Sequence, residues 1–242
     1  MASRTIENYL KQLWLLEHAQ KPRPTSTRTG QPPAWVSMGK LAGTMRVTAG
    51  TTTTMVKAMA DAGLARYTPR AGVRLTKAGE KLALHVLRRH RLLELFLVEI
   101  LGIDWSHAHE EAEELEHVIS ELVLSAIDRL LGRPQVDPHG DPIPSEGGKL
   151  MVQDTLSLSN TDKGCRIVIR RILDQSREFL TFARESGLVP RAKVTVEHIN
   201  PNSEAMSLVP DGRPPLSISL SVAAKFEVAL MPPVKTVRSR KR

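Results

Sequence analysis

Between His107 and His117 the chain reads HAHEEAEELEH, three histidines and five glutamates in eleven residues. Carboxylate oxygens and neutral imidazole nitrogens are ligands for divalent first-row ions. On a helix turning about 100° per residue, His109, Glu113, Glu116 and His117 fall within an arc of roughly 100°. Ala108, Ala112, Leu115, Ile119, Leu122 and Ala126 form a separate apolar arc, expected to pack inward. Glu110, Glu114 and Glu121 lie beyond its other edge, with His107 in the same solvated group. Upstream, His90 and Glu94 stand four residues apart and share a helix face. Two helices that each offer His and Glu can pinch a cation. This donor set suits Mn²⁺, Fe²⁺, Co²⁺ or Ni²⁺, and zinc would also bind it. Burying several carboxylates without a cation costs repulsion and desolvation. A charged, solvated helix carrying incidental histidines is the other reading of the same pattern.

The residue types speak against catalysis. There is no HExxH run, no serine elbow and no phosphate-binding glycine loop. Cys165 is the single cysteine, which rules out a disulfide or a cysteine-based zinc cluster within one chain and fits a reducing compartment. The chain has no 18-residue apolar run and its start lacks a signal-peptide layout, so a cytoplasmic protein with no membrane partner is expected.

Charge is divided along the 242 residues, whose formal net charge is +8. From Met1 to Arg91 there are 16 Lys and Arg against 4 Asp and Glu. From Leu92 to Asp128 there are 10 acidic residues and no Lys or Arg. The last eight residues, KTVRSRKR, carry five positive charges. A basic end suits an anionic polymer, and an acidic, histidine-containing middle suits cations.

The elements that must position these groups follow from periodicity. Ile6 to Ala19 has helical spacing, and the proline-rich run Lys21 to Pro33 must be a loop. Ser37 is placed to cap a short helix, and a tight turn at Arg46 to Ala49 leads to a second helix closed by Gly63. LARYTPRAGVRLT reads as strand, turn, strand, after which Thr76 caps a long helix. Helix, helix, tight turn, helix, hairpin, helix is the order of a winged helix-turn-helix. Its recognition helix would run from Ala49 to Ala62. Thr48, Thr51, Thr52, Thr53, Thr54 and Lys57 would offer hydroxyls, methyls and charge to a groove. Arg46, Arg66, Arg70 and Arg74 would clamp phosphates beside it. One further helix is expected over Ser106 to Leu131. GRPQVDPHGDPIPSEGGK (Gly132 to Lys149) reads as a boundary segment. Beyond it, GCRIVIRRI, AKVTVEHI, EAMSLVP, LSISLSV and KFEVAL are strand-like, with a short helix at Ser176 to Leu188, and their number and spacing predict a small barrel.

The segments NYLKQLWLL, TTTTMVKAMADAGLARY, VRLTKAGEKLA and RRHRLLELFLVEILGIDWSHAHEEAEELEHVISE together resemble the diphtheria-toxin-repressor family of metal-dependent transcriptional regulators, over nearly the whole chain. The resemblance implies a mainly α protein with a small β domain. A winged helix-turn-helix would occupy 1–78, a helical metal-binding and dimerisation domain 79–145, and an SH3-like β-barrel 155–232. It implies an ancillary metal site of His90, Glu94 and His109 and a primary site of Glu113, Glu116 and His117 with a helix-1 residue. That residue falls at Asn8, with Glu7 beside it, and Glu178 is the nearest residue of the third domain that could add a ligand. Glu113 stands where the iron-responsive branch has cysteine, so the manganese-responsive branch is the closer match and iron the alternative. A helix-1 carboxylate of the manganese branch falls at Lys11, which cannot ligate while protonated. Leu92, Leu93, Phe96, Leu97, Ile100, Val118, Leu122 and Ile127 would serve core and dimer interface. The implied function is a homodimeric, metal-activated repressor of metal-uptake genes on a palindromic double-stranded DNA operator, without enzymatic activity or a small organic substrate. A metal-independent structural or protein-interaction module is the contrasting reading.

Overall fold

The computed structural model describes residues 3–19, 35–151 and 154–232. The expected loop at Lys21 to Pro33 and the basic run KTVRSRKR lie outside the described residues. The chain divides into two compact units. The first comprises Met1–His90, Glu113–Leu124 and Pro144–Leu150, and the second comprises Arg91–Ala112, Ser125–Ile143 and Met151–Arg242. Among the described residues no helix is long and apolar enough to cross a membrane.

The first unit is built on α1 (Arg4–Ala19), α2 (Met38–Met45), α3 (Ala49–Asp61), the hairpin β1 (Ala65–Thr68) and β2 (Gly72–Leu75), and the start of α4 (Lys77–Glu99). Ser37 caps α2 through the Lys40 N–H, and Thr48 caps α3 through the Thr51 N–H, each satisfying an N–H that the helix start leaves without a partner. Arg46 closes α2 in the left-handed region at φ 54°, which makes the turn between α2 and α3 tight. Val36 pairs with Val73 and adds an edge to the hairpin. Gly72 is required there, because a Cβ would lie 2.2 Å from the Val36 carbonyl oxygen at a φ of +116°. Tyr9, Leu10, Leu13, Leu41, Val56, Met59, Val73 and Leu87 fill one core. Glu17 accepts the Leu75 N–H at 2.7 Å, fastening α1 to the wing. This is the winged helix-turn-helix expected from the sequence.

The expected single helix over Ser106 to Leu131 is broken. α5 (Trp105–Leu115) ends where the N–H groups of Val118 and Ile119 both turn back to the Leu115 carbonyl. α6 (Glu121–Leu130) then starts on Ser120, whose hydroxyl takes the Val123 N–H. A serine with a free helix N-terminus to cap competes with continuation of the preceding helix. The apolar arc drawn through both segments therefore dissolves: Ala108 and Ala112 are buried, while Leu115 and Leu122 are exposed.

The second unit carries a six-stranded antiparallel sheet of β3 (Leu156–Ser157), β4 (Arg166–Ile172), β5 (Lys193–Asn200), β6 (Ala205–Pro210), β7 (Leu216–Ser219) and β8 (Phe226–Leu230), in the order β3-β8-β4-β5-β6-β7. α7 (Arg177–Glu185) contributes Phe179, Leu180 and Ala183 to the sheet's core. The expected SH3-like barrel is not formed, because the sheet stays open. Closure would need β3 and β7 to pair, but β3 is two residues long and bonds only β8, and β7 bonds only β6 before its chain turns into the short α8 (Leu220–Ala223). Strand count and spacing carry no information about whether two edges meet. Bulges at Ile169/Arg171 and Val196/His198 bend the open sheet around Ile167, Val194, Leu208 and Phe226.

Candidate functional site

Among the described residues, metal-type side chains gather in both units. The first set gathers Glu7, Asn8 and Lys11 of α1, His90 of α4, and Glu113, Glu116 and His117 at the end of α5 and in the turn after it. The apolar side of α1 is buried, and Glu7 and Lys11 lie one turn apart on the neighbouring stripe, both buried. Glu116 is fully buried. Its Oε1 accepts from Lys11 Nζ at 2.6 Å and lies 3.2 Å from His117 Nε2, while its Oε2 is 2.7 Å from His90 Nδ1. Lys11 Nζ also reaches Glu113 at 3.4 Å. His117 lies between Glu7 Oε2 at 2.7 Å and Asn8 Oδ1 at 2.8 Å. Arg89 Nη1 is 3.6 Å from Glu7. Burial pushes the Glu116 carboxyl up, but the hydrogen bond and charge of His90 and the Lys11 ammonium outweigh it and hold the group below the usual range.

The second set lies within the second unit. Glu94 Oε1 is 2.9 Å from His109 Nδ1, and Glu94 Oε2 is 4.0 Å from His139 Nδ1. Glu94, Asp137 and His139 are all buried, and one ligand atom from each lies within 4.8 Å of the others. His90 and Glu94 are one helical turn apart on α4, and His90 Nδ1 also lies 2.7 Å from Glu116 Oε2. Glu178 is exposed in the first turn of α7 and belongs to neither set.

Carboxylates and imidazoles are suitable donors for a hard divalent cation in both places. The fit differs. In the first set the chain's own ammonium already sits against Glu116, so an ion there must compete with Lys11. In the second set, buried oxygen and nitrogen atoms face one another, and among the described residues no Lys or Arg nitrogen is within hydrogen-bonding distance of Asp137 Oδ2 or His139 Nδ1.

Sequence reasoning passed over Lys11 as an ion-pair partner, and over Asp137 and His139 altogether. The signal for the latter was VDPHGDPIP, a histidine flanked two residues away on either side by aspartates. Its prolines and glycine read as a boundary segment. Folded, Asp137, His139 and Asp141 are buried.

The residues expected to meet nucleic acid lie on the first unit. Thr48, Thr51, Thr54, Lys57, Arg46 and Arg70 are exposed, and Thr53 and Arg74 are half-buried. Thr52 is fully buried and its hydroxyl donates to the Thr48 carbonyl, so it presents nothing to a groove. Thr53 and Thr54 donate to Ala49 and Gly50 carbonyls at 2.8 and 3.2 Å. With their protons committed to the backbone, these side chains offer methyl groups and acceptor lone pairs. Arg66 and Arg74 are directly opposite each other on the wing, and Arg74 also lies over the Trp35 ring. Like charges facing across a hairpin are destabilising unless an anion lies between them.

A family model described as "Iron dependent repressor, metal binding and dimerisation domain" matches residues 76–145. The iron-dependent repressor IdeR of Mycobacterium tuberculosis strain H37Rv is 33% identical over 154 residues, covering 59% of this chain and 67% of that protein. Among solved structures, a manganese-dependent transcriptional repressor in complex with manganese is 30% identical with a TM-score of 0.80, and the two match over 93% of this chain and all of that one. The manganese regulator SloR is 27% identical with a TM-score of 0.70, over 93% of this chain and 98% of its own.

Proposed function

The chain belongs to the diphtheria-toxin-repressor family, and on that premise we propose how its residues carry the work of a metal-dependent, homodimeric, DNA-binding transcriptional regulator. Such a protein is a regulator rather than an enzyme, and its partners are double-stranded DNA and a second copy of itself. The reading head is 1–78, the metal-binding and dimerisation region 79–145, and the β module 155–232. Cytoplasmic action on a palindromic operator that controls metal-uptake genes follows from the same reading.

The observation that carries it is α1. One end presents Glu7, Asn8 and Lys11 to Glu113, Glu116 and His117, and the other end holds the wing through Glu17. Glu7, Asn8, Glu113, Glu116 and His117 would hold a divalent cation, which would supply the positive charge that their oxygens and nitrogen share. With those donors held together, Glu7 and Asn8 would fix the attitude of α1, and with it the reading head whose core α1 shares. Half-sites on a palindrome require two recognition helices at a set spacing, so a fixed reading head binds and a loose one does not. Metal and DNA must each favour the other by the same coupling free energy.

Manganese is the proposed effector, because Glu113 supplies oxygen and two structural neighbours are described as a manganese-dependent repressor and a manganese regulator. Iron is the second reading, favoured by the mycobacterial relative. His90, Glu94 and His109 remain the proposed ancillary ligands.

The test is selection from a random duplex pool, run anaerobically with Mn²⁺, Fe²⁺, Zn²⁺ or chelator. We expect a palindrome enriched with Mn²⁺ and lost with chelator or with Glu113→Ala. Enrichment that ignores chelator would mean a metal-independent regulator, and no enrichment in any arm would mean an interaction module.

A further inference from the structure

The second unit carries an open cleft of about 1120 Å³. Small-molecule sites run from about 300 to 1,000 Å³, so it has room for a ligand of that class. Its walls come from the end of α4 and the turn after it, the end of α6 and the segment that follows, and β4 with the turn ahead of β5. Val98, Ile103, Trp105, Val136 and Val189 give it an apolar lining. Ile100 and Leu130 stand among them, 48% and 62% exposed. Exposed apolar side chains grouped around a recess mark a binding surface. Arg170, Arg184 and Arg191 line the same cleft.

Two of these arginines sit where the backbone departs from regular geometry. Arg170 is the extra residue of the β4 bulge, since Ile169 pairs with Val228 and Arg171 with Glu227. Strict alternation after Ile167 and Ile169 would bury Arg171. The inserted residue puts Ile172 in the core instead and leaves Arg170 exposed. A Cβ on Gly140 would lie 1.9 Å from the Arg170 carbonyl oxygen, so only glycine lets the neighbouring loop press against the bulge. Arg191 is third in the turn Val189–Ala192, which the Ala192 N–H closes on the Val189 carbonyl at 3.0 Å. Its φ of 72° lies in the left-handed region, where glycine is at ease and a Cβ is strained. The Arg191 N–H donates to the Ile169 carbonyl at 2.8 Å, fixing the turn against the strand beside Arg170. Glycine would form this turn with less strain, so what arginine adds there is its guanidinium.

The charges do not cancel. Arg184 Nη1 is 2.5 Å from Asp104 Oδ2, so that pair is matched. Asp137 is buried, with Oδ1 accepting two N–H groups of its own loop. Arg170 and Arg191 are exposed and have no ion-pair partner among the described residues, which leaves two guanidinium groups against the exposed carboxylate of Glu99. A guanidinium presents a planar fork that matches the oxygens of a carboxylate or phosphate. We propose that this cleft binds a small amphipathic anion, an apolar chain or ring ending in one carboxylate or phosphate. Its apolar part would lie against Val98, Ile103 and Val136, and its oxygens at Arg170 and Arg191. Such a ligand is an effector: by binding the folded cleft it stabilises the packing of the helical segments on the sheet. The proposal does not rest on metal or DNA binding.

Trp105 lines the cleft, so its fluorescence in the full chain reports binding, and Trp105→Phe separates its signal from those of Trp14 and Trp35. The probes are decanoate and decyl phosphate below their micellar concentrations, with inorganic phosphate and decyltrimethylammonium as controls. They are titrated into wild type, Arg170→Gln and Arg191→Gly. We expect one decanoate or decyl phosphate per chain, the tighter of the two naming the head group, and a higher Tm at saturation. Each variant should bind about tenfold more weakly, as loss of a charged hydrogen bond implies. Arg191→Gly should keep or raise the apo Tm, because glycine adopts this φ freely, so its weaker binding is not a loss of fold. If Arg170→Gln does not fold, Arg191→Gly decides alone. Unchanged affinity in the folded variants, or equal binding of decyltrimethylammonium, would overturn the anion site. Inorganic phosphate binding as tightly as decyl phosphate would overturn the amphipathic ligand. Probe binding that falls as the chain associates in sedimentation equilibrium would overturn it in favour of a second copy covering the cleft.

Discussion

Lys11 is the residue expected to set metal affinity in the first set. Its ammonium is almost wholly buried and 2.6 Å from a carboxylate with no exposure. Removing one partner of a buried pair leaves an uncompensated charge and costs about 3–5 kcal/mol. Lys11→Ala should therefore lower apo stability by about 3 kcal/mol in urea denaturation. It should also tighten Mn²⁺ binding at Glu116, since the ion no longer displaces an ammonium. If dialysis shows the same affinity for both proteins, Lys11 is not the competitor. Asn8 adds to this at the same end of α1: its amide oxygen is 2.8 Å from His117, so it is placed among the donors but contributes a dipole where a carboxylate would contribute charge.

The wing shows element-level conflict that a ligand would relieve. Arg66 faces Arg74 across a four-residue antiparallel ladder. In the free protein the pair repels, by an amount on the order of a few tenths of a kcal/mol. Arg66→Ala should therefore leave stability unchanged or slightly raised in a thermal melt. It should weaken DNA binding across all sequences and flatten the slope of log K against log salt by about 1. A salt slope equal to wild type would take Arg66 out of the interface. The helix α3, the proposed recognition helix, behaves differently, because Thr53 and Thr54 spend their hydroxyl protons on the preceding turn. Their methyl groups then suit contact with thymine better than donation to phosphate.

For the whole molecule, exposed apolar surface marks where a second copy belongs. Within the first unit Val118 and Leu122 are 77% and 79% exposed, and Leu115 and Val123 are partly so. Leu92, Leu93, Leu97 and Ile127 are buried within one chain, which divides the apolar residues first grouped together into core and free surface. Large apolar side chains left clustered in water mark association sites. Leu122→Glu should shift the protein from dimer to monomer in sedimentation equilibrium, with its circular dichroism retained. A dimer that persists would place the interface elsewhere.

The sequence by itself determined the winged helix-turn-helix and the strand segments, because caps, turns and apolar periods act over a few neighbours. Ser37 and Thr76 mark helix starts wherever the rest of the chain goes. Three features were decided only in three dimensions. α5 stops at Leu115 because Ser120 caps a new helix and Glu116 is drawn to Lys11 and His90, and a helical wheel cannot contain either partner. The sheet stays open because its two short edges never meet, a matter of closure and not of strand count. Asp137 and His139 gain their chemistry from burial beside Glu94, more than forty residues away in sequence, where desolvation turns ordinary loop side chains into a set of converging lone pairs.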